Sequence, residues 1–541
     1  MSSSGSKSFS AALKPGLRRA MEALAKQFRG RITRVDAPRP DEVYLDADPV
    51  MAGALCSTLY KKHGARLAGV FAEDARTSER AFLVYQIYAL DAVGGFVVVR
   101  LALPPEDPAL ASLTSAVPAV NWQEREIQDW FGIRLLGHSN PRRCAMHDDW
   151  PPVHPMRKDF DLRATLPPFR GERHKFREVE GEGVFQVPVG PVHAGIIEPG
   201  HFLFSVAGEP VLYLQLRLFY VHKGTEKLFE SLLIPHGVRL AESISGDSGF
   251  AHATAFCHAV ERAAGVEIPA RARALRTICL ELERLYNHVA DIGAICTDVA
   301  FVTANMHAMR LKERVLRTNE HLTGNRLLRG MACLGGVRFD FDAGRIGALS
   351  GLLDELGNEF NDLVEIIRSH SGTRDRLETT GVLSPKVARD LGIVGVAGRA
   401  SGIDRDMRRD FPHDFYDEVQ FTVPVFSEGD VQRRLAVRRE EVYQAISIIR
   451  QTLNKLPDGP LRTEVREVPP DRVALGFVEG WRGEIFHWVH TAPGNRLARC
   501  KVKDPSLQNW PALSEAILGN IIPDFPVVNK SFNLSYSGTD R

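Results

Sequence analysis

The chain has 541 residues, with 68 Lys and Arg against 67 Asp and Glu, so its net charge of +1 gives no argument for binding nucleic acid or an anionic membrane surface. Its 44% hydrophobic and 25% charged content is that of a globular protein of more than one domain, without an apolar run as long as a membrane span. The seven cysteines are scattered and never spaced as Cys-x-x-Cys. They indicate reduced thiols in a cytoplasmic protein and provide no ligand set for zinc or an iron–sulfur cluster.

The first 165 residues are predicted to form a small α+β domain. Serine-rich residues 2–8 indicate a disordered tail, and a short amphipathic helix follows, with no apolar segment typical of a secretory signal. Strands are predicted between turns at residues 43–45, 66–71, 82–89 and 95–103. The polar segment 166–182 is predicted to be a linker to a second domain at residues 183–541.

The second domain is predicted to open with a small antiparallel sheet. Between residues 184 and 218, apolar and polar residues alternate, and Gly-Pro and Pro-Gly pairs mark the turns. His193 lies in the first turn, where an isolated histidine is most often structural. A helix begins after Tyr220 and includes Glu226 near its start. A partly buried carboxylate there can have a raised pKa and relay protons, whereas a solvated one is only a helix charge.

A tight Ser-Gly-Asp-Ser-Gly turn at residues 245–249, called the central turn below, leads into the next helix. It places Ser245 and Ser248 three residues apart at the helix N-terminus, with Asp247 between them. Free N–H groups and the positive end of the helix dipole suit an anion, an acid or a metal-bound ligand at this position. Ser or Asp before a helix is also the usual N-cap.

The rest of the chain is predicted to be a helix bundle with peripheral β-structure. Pro269 is expected at position N1 of a helix whose Leu, Ile and Val residues form one core-facing stripe, with Arg284 and His288 as polar exceptions. Further helices are predicted at about residues 300–328, 342–370 and 429–455, and a hairpin at 478–489.

The segment 381–412 is predicted to be a glycine- and arginine-rich loop. Its alternating acids and bases, which include Arg399 and Asp404, indicate a mutually paired network rather than a phosphate site. No Gly-x-Gly-x-x-Gly occurs in the chain, so no nucleotide-binding site is inferred.

These segments resemble two related families. ELERLYNHVADIG (281–293), the loop at 381–412, VEGWRGEIFHWV (478–489) and the C-terminal segment resemble the large subunit of energy-converting nickel-iron hydrogenases, of the hydrogenase-4 and formate hydrogenlyase type, and the quinone-site large subunit of respiratory complex I. NWQEREIQDWFGI (121–133) and the residues after it resemble the accessory subunit of complex I, so the chain resembles a C/D fusion.

Hydrogenases of this family carry two Cys-x-x-Cys motifs, and all four cysteines are missing here. By the resemblance, the first motif falls on Ser245 and Ser248, with His252 following, and the second on Ser535 and Gly538. Nickel and low-spin iron need soft anionic sulfur donors, which hydroxyls and glycine do not provide. The resemblance therefore predicts no nickel-iron centre in this chain, no other cofactor bound by it, and a C-terminus that returns to the central turn.

The resemblance implies a fold and a set of site residues. The fold class is α+β: a small N-terminal α+β domain, then a mainly α-helical bundle domain with peripheral antiparallel β-structure. His193 matches a quinone head-group histidine, and Glu226 matches a proton-transferring glutamate; with Asp247 they are the predicted catalytic residues. Arg284 and His288 are predicted to lie near a partner's terminal cluster. Residues predicted to line a metal-free quinone cavity are Ser245, Ser248, His252, Arg399, Asp404, Ser535 and Asp540.

Two functions follow from the resemblance. In the first, the chain accepts electrons from a [4Fe-4S] cluster of a small partner subunit and passes them to quinone or another acceptor. In the second, it is a non-redox scaffold or proton-coupling subunit. The retained His193 and Glu226 favour the first function, whereas the missing cysteines and the missing tyrosine favour the second, and an active hydrogenase ranks a distant third. The tyrosine that complex I places near the quinone falls on Gly246. Both functions imply membrane subunits as partners, which would hold the chain peripherally at the inner face of the cell membrane.

Overall fold

The computed structural model describes residues 13–193 and 197–541, and the chain divides into two compact units between His174 and Lys175. This division lies inside the segment 166–182, where the sequence predicts a linker. The predicted serine-rich tail at residues 2–8 lies outside the described residues. The structure confirms the predicted α+β class.

The first unit is built on a five-stranded sheet. Its helices and strands are α1 (Pro15–Gln27), β1 (Ile32–Arg39), β2 (Glu42–Ala47), α2 (Ala52–His63), β3 (Arg66–Ala75), β4 (Ala81–Leu90), β5 (Gly95–Leu103), β6 (Ala109–Ala111), α3 (Asn121–Phe131) and β7 (Arg134–Leu136). The sheet order is β1-β2-β5-β4-β3, in which β2 and β5 are parallel and the other pairs antiparallel. All residues of β3 and β4 are buried, because both faces of these strands are covered.

The second unit combines a helix bundle with two three-stranded antiparallel sheets, β10-β9-β8 and β13-β14-β15. Its strands are β8 (Val184–Val189), β9 (His201–Ala207), β10 (Val211–Arg217), β11 (Ala332–Cys333), β12 (Gly336–Val337), β13 (Val473–Gly480), β14 (Gly483–Ala492) and β15 (Arg496–Lys503). Its helices are α4 (Thr225–Phe229), α5 (Ile234–Glu242), α6 (Gly249–Ala264), α7 (Ala270–Asp298), α8 (Val302–Thr323), α9 (Ala343–Ser369), α10 (Ser371–Leu377), α11 (Pro385–Asp390), α12 (Gly395–Ala400), α13 (Met407–Asp410), α14 (Val431–Asn454), α15 (Pro505–Ala516), α16 (Phe525–Phe532) and α17 (Tyr536–Asp540).

Helix α7 is the centre of this unit and packs against α6, α8, α14 and α16. The predicted apolar stripe is buried, but so are Arg276, Glu281, Glu283 and Arg284 on other faces of the helix. Such buried charges need ion-pair or hydrogen-bond partners, because burying an unpaired charge greatly destabilises the fold. Pro269 is the N-cap residue rather than N1, so the helix begins one residue later than predicted.

Within the described ranges, no helix is both long enough and apolar enough to cross a membrane.

Candidate functional site

The end of the chain meets the central turn, as predicted. The hydroxyl oxygens of Ser245 and Ser535 lie 2.9 Å apart, within hydrogen-bonding distance, although the residues are 290 positions apart in sequence. Both side chains are buried. The Ser535 hydroxyl also accepts the amide hydrogen of Gly538 at 2.8 Å, and this bond caps α17. Two of the positions predicted to line the cavity are thus brought together through their hydroxyl groups.

Asp247 is fixed in the central turn by Arg482, which follows β13. Two guanidinium nitrogens donate to its two carboxylate oxygens at 2.7 and 2.5 Å, and the Ser245 hydroxyl donates to it at 2.8 Å. Burial opposes ionisation, but the charge and hydrogen bonds of Arg482 lower the pKa of Asp247 below its ordinary value. At neutral pH the predicted proton-handling residue is therefore a carboxylate locked in an ion pair.

The N-terminus of α6 is capped by a residue that the sequence analysis did not single out. Ser248 holds the N-cap position, yet its side chain makes no capping bond. Instead, the Glu283 carboxylate accepts the amide hydrogens of Phe250 and Ala251 at 2.9 and 3.1 Å. Burial raises the pKa of Glu283 to about 8, although the two amides favour its anion. The helix end suits an acid, as predicted, and this acid comes from α7.

His252 belongs to a buried hydrogen-bonded chain. Its Nε2 atom lies 3.0 Å from the Asp504 carboxylate, and its Nδ1 atom lies 3.1 Å from Nε2 of His487. Burial, together with His252, lowers the pKa of His487 well below its ordinary value, so His487 is neutral. Asp504 also accepts the amide hydrogen of Ser506, whose hydroxyl accepts the Ser535 amide hydrogen. The hydrogen-bonded chain Asp504–His252–His487 thus adjoins the serine pair.

Gly538 leaves no room for a side chain beside this chain of groups. A Cβ atom at residue 538 would lie 2.6 Å from the Asp504 carboxylate, well inside van der Waals contact. The carboxylate therefore fills the space next to residue 538.

Asp540 is a buried carboxyl group in the last position of α17. It accepts the amide hydrogens of Phe219 and Val221 at 3.0 and 2.9 Å. Burial raises the pKa of Asp540 to about 7, although these amides favour the anion. Nearby, the Lys223 ammonium donates to the carbonyl oxygens of residues 243 and 244 and to the Ser537 hydroxyl. Of the predicted cavity residues, Asp540 is one that can exchange a proton at neutral pH.

Glu226 does not have the raised pKa that its position suggested. Its carboxylate lies 2.6 Å from Arg499, 2.9 Å from Lys501 and 3.5 Å from Arg541. Burial alone would raise the pKa of Glu226, but the charges of Lys501, Arg499 and Arg541 lower it to about 2. This carboxylate is therefore permanently ionised at neutral pH, because it balances three buried cations. The expectation of a raised pKa is wrong.

His193 lies in the turn between β8 and β9, as predicted. Its Nε2 atom lies 2.7 Å from the Gly200 carbonyl oxygen, and its ring is tilted against that of Phe202. Gly200 in turn borders the ring of Tyr536, because a Cβ atom at residue 200 would lie 2.5 Å from that ring. His193 is thus connected to α17 through Gly200.

Arg399 belongs to a separate buried cluster of ion pairs. It pairs with Glu441 and Glu479 at 2.7 and 2.9 Å, and Glu441 also accepts from Arg284 and His288 at 3.2 and 2.7 Å. Within the loop at 381–412, Arg408 pairs with Asp406 at 2.7 Å and Arg409 pairs with Asp404 at 2.6 Å, as the alternating charges predict. Burial lowers the pKa of His288. Burial and the negative charge of Asp406 together raise the pKa of Glu479 to about 7. The cluster is linked to the central turn through the end of β13, since Trp481 donates to the Asp247 carbonyl oxygen.

Asp404 differs from the other predicted cavity residues. Its side chain is 64% exposed and pairs with Arg409, which is itself 41% exposed. Asp404 therefore lies at the surface of this chain, whereas Arg399 is buried.

Comparison with known proteins accounts for this combination of two units. The family model "Respiratory-chain NADH dehydrogenase, 30 Kd subunit" matches residues 45–166, and the model for the 49 Kd subunit matches residues 298–475. Formate hydrogenlyase subunit 5 of Escherichia coli is 36% identical over 489 residues, covering 89% of this chain and 86% of the relative. Hydrogenase-4 component G of the same organism is 34% identical over 529 residues, covering 96% and 92%.

A third relative connects the chain to respiratory enzymes. The C/D subunit of the NADH-quinone oxidoreductase of Phocaeicola vulgatus is 30% identical over 480 residues, covering 85% of this chain and 92% of the relative. The fold and the matches define a fused large subunit of the complex I and hydrogenase-4 type. The chain belongs to the oxidoreductase family that contains these hydrogenase components and the C/D subunits of NADH-quinone oxidoreductases.

Proposed function

We propose that this chain is a subunit of a membrane-associated oxidoreductase, where it passes electrons from a partner's [4Fe-4S] cluster to quinone or another acceptor. The partners would be a small iron–sulfur subunit and membrane subunits, and the chain would lie at the inner face of the cell membrane. The family relationship supports this assignment, since relatives are named as hydrogenase components and as NADH-quinone oxidoreductase subunits.

The residues at the site do not fit a nickel-iron centre. Ser245 and Ser535 contribute hydroxyls that hydrogen-bond to each other at 2.9 Å, and a thiolate at position 538 would overlap the Asp504 carboxylate. A hydroxyl is a hard donor that keeps its proton at neutral pH, so this set lacks the soft anionic ligands that the hydrogenase metals need. The proposed electron transfer therefore involves no metal held by these residues.

The observation that carries the proposal is the group of proton-exchanging side chains at this site. Quinone reduction consumes two protons together with two electrons, and the cluster would supply only the electrons. Asp540, with a pKa of about 7, can give up a proton at neutral pH, and the hydrogen-bonded Asp504–His252–His487 chain would supply the second one. His193 donates its Nε2 hydrogen to the Gly200 carbonyl oxygen and would transfer this hydrogen bond to a bound quinone carbonyl. Glu226 and Asp247 would act as fixed negative charges.

A second function, that of a non-redox scaffold or proton-coupling subunit, is favoured by a different observation. Asp247 and Glu226 are held as anions by Arg482 and by three other cations, and the serine hydroxyls are bound to each other. This arrangement stabilises the fold without needing a substrate. The two functions differ in whether a quinone binds near His193.

Photolabelling of the purified assembly with an azidoquinone distinguishes these functions. Electron transfer to quinone predicts labels in the peptides that contain residues 190–200 and 242–250, which an excess of short-chain quinone prevents. His193→Ala should lose most of the label, whereas His236→Ala, at an exposed position of α5, should keep it. Labelling that is scattered or insensitive to competing quinone would refute quinone binding and leave the scaffold function.

A further inference from the structure

A cluster of two histidines and one aspartate lies apart from the serine pair. His258 is on α6, and His413 and Asp414 follow α13. One ligand-type atom from each of these residues lies within 4.8 Å of the other two. Asp414 and His413 are buried, and the His258 side chain is 13% exposed. Two imidazole rings from distant parts of the sequence thus meet at one carboxylate.

Both ring nitrogens of His258 face oxygen atoms that can only accept a hydrogen bond. Its Nδ1 atom lies 3.0 Å from the Phe477 carbonyl oxygen, which accepts the ring proton of a neutral imidazole. Its Nε2 atom lies 3.0 Å from both oxygens of the Asp414 carboxylate. Because carbonyl and carboxylate oxygens both accept, the gap between Nε2 and Asp414 must contain a second proton or a cation. A backbone carbonyl on the far nitrogen is also the usual support of a metal-binding histidine.

His413 is directed at the same carboxylate. Its Nδ1 atom lies 2.9 Å from an Asp414 oxygen, while its buried Nε2 atom has no hydrogen-bond partner within the described part of the chain. Arg276 comes no closer than 3.9 Å to Asp414, since Glu261 binds its guanidinium at 2.6 Å. Glu261 thereby neutralises the guanidinium of Arg276. The two imidazoles consequently lie closer to the Asp414 oxygens than this cation does.

We propose that His258, His413 and Asp414 form a binding site for a divalent transition metal ion, for which zinc is the suitable probe. Two imidazoles and a carboxylate are a common zinc ligand set, and a water molecule would complete four-coordination. Ligand atoms of a tetrahedral zinc site lie about 3.3 Å apart, given zinc–ligand bonds of about 2.0–2.1 Å. The two histidine-to-aspartate separations of 2.9 and 3.0 Å are shorter than this by a few tenths of an ångström, and the ligand atoms of the two histidines lie within 4.8 Å of each other.

The metal would connect α6 to the segment after α13. That segment is already held to α7, because the Phe415 amide donates to Thr277 and the Tyr416 hydroxyl donates to Glu281 at 3.0 and 2.6 Å. A metal ion bound by both His258 and His413 would hold the same segment to α6. The edge of the His258 ring that remains exposed would be the route of entry. The site is independent of the proposed electron transfer.

Zinc content of the full-length chain, purified without a histidine tag, tests the proposal. After equilibrium dialysis against micromolar zinc, the wild type and the exposed control His321→Ala should each hold about one zinc ion per chain. His258→Ala and His413→Ala should lose it. A wild type without bound zinc, or variants that retain it, would overturn the proposal and leave an ion pair between His258 and Asp414.

X-ray absorption at the zinc edge of the wild type decides the outcome if either variant fails to fold. Two imidazoles and oxygen ligands around zinc would support the site. A shell of sulfur ligands would refute the site, because the zinc would then be bound by the scattered cysteines. A shell without imidazole would refute it as well.

Discussion

Replacing Glu226 with glutamine tests whether this residue balances buried cations or relays protons. The substitution keeps the size of the side chain but removes the charge that faces Arg499, Lys501 and Arg541. If Glu226 serves mainly to balance these cations, the variant must lose stability. If it serves mainly as a proton relay, activity must fall while stability stays near that of the wild type.

The size of the effect follows from the pKa of Glu226. Its value is about 2 in the folded chain against a reference of 4.5, and one pKa unit corresponds to about 1.4 kcal/mol, so the ionised group contributes roughly 3 kcal/mol at pH 7. Because the folded pKa is the lower one, this stabilisation is complete above pH 4.5 and is lost as the pH falls through about 2. At pH 3, less than half of this stabilisation should remain.

Urea unfolding of the full-length chain, combined with hydrogen exchange of the β15 amides, measures this effect. Glu226→Gln should be less stable by about 3 kcal/mol at pH 7, and the difference should shrink at pH 3. Glu365→Gln makes the same change in an exposed ion pair with Arg368 and should cost at most about 1 kcal/mol. An unchanged stability of Glu226→Gln with loss of activity would refute the structural role and restore the proton-relay interpretation.

Three further predictions concern the site. Burial raises the folded pKa of Asp540 to about 7, so the wild type should lose stability relative to Asp540→Asn as the pH rises from 4 to 7. The difference should grow by about 1.4 kcal/mol per pH unit, and thermal melts across this range measure it. Ser245→Cys with Ser535→Cys should form a disulfide on oxidation, seen by peptide mass spectrometry, whereas Ser248→Cys with Ser535→Cys should not if the hydroxyl contact is specific. Gly538→Ala should lose about 1–3 kcal/mol, because its methyl group meets the Asp504 carboxylate, and an undiminished unfolding midpoint would contradict that contact.

The sequence was sufficient to predict the elements that depend on local patterns. Helices predicted at about 300–328, 342–370 and 429–455 are observed at Val302–Thr323, Ala343–Ser369 and Val431–Asn454. Their apolar periodicity and the flanking turns define them without reference to the rest of the fold. The return of the C-terminus to Ser245 was also predicted, because the family resemblance related the two missing cysteine motifs.

Properties that depend on distant partners could not be predicted in the same way. The pKa of Glu226 is set by Arg499 and Lys501, which are 273 and 275 residues away, so its position at a helix start indicated the wrong direction. The cap of α6 comes from Glu283 for the same reason. In the loop at 381–412, alternating charges predicted ion pairs correctly, but alternation cannot say that Arg399 is buried while Asp404 is exposed.

The cluster of His258, His413 and Asp414 shows the same limit for metal ligands. Residues 258 and 413 are 155 positions apart, and neither lies in a spacing that is typical of a metal motif. The cysteine pattern, by contrast, excluded a Cys-x-x-Cys site at once. Only the packing of α6 against the segment after α13 brings the two rings to one carboxylate.

Electron paramagnetic resonance of the purified membrane assembly tests the central proposal most directly. The partner's cluster would be reduced first, and a short-chain quinone would then be added to assemblies that contain the wild-type chain or His193→Ala. Rapid loss of the reduced-cluster signal in the wild type, with slow loss in the variant, is the expected result. A cluster signal that quinone leaves unchanged in both assemblies, or an assembly without a cluster, would contradict electron transfer through this chain.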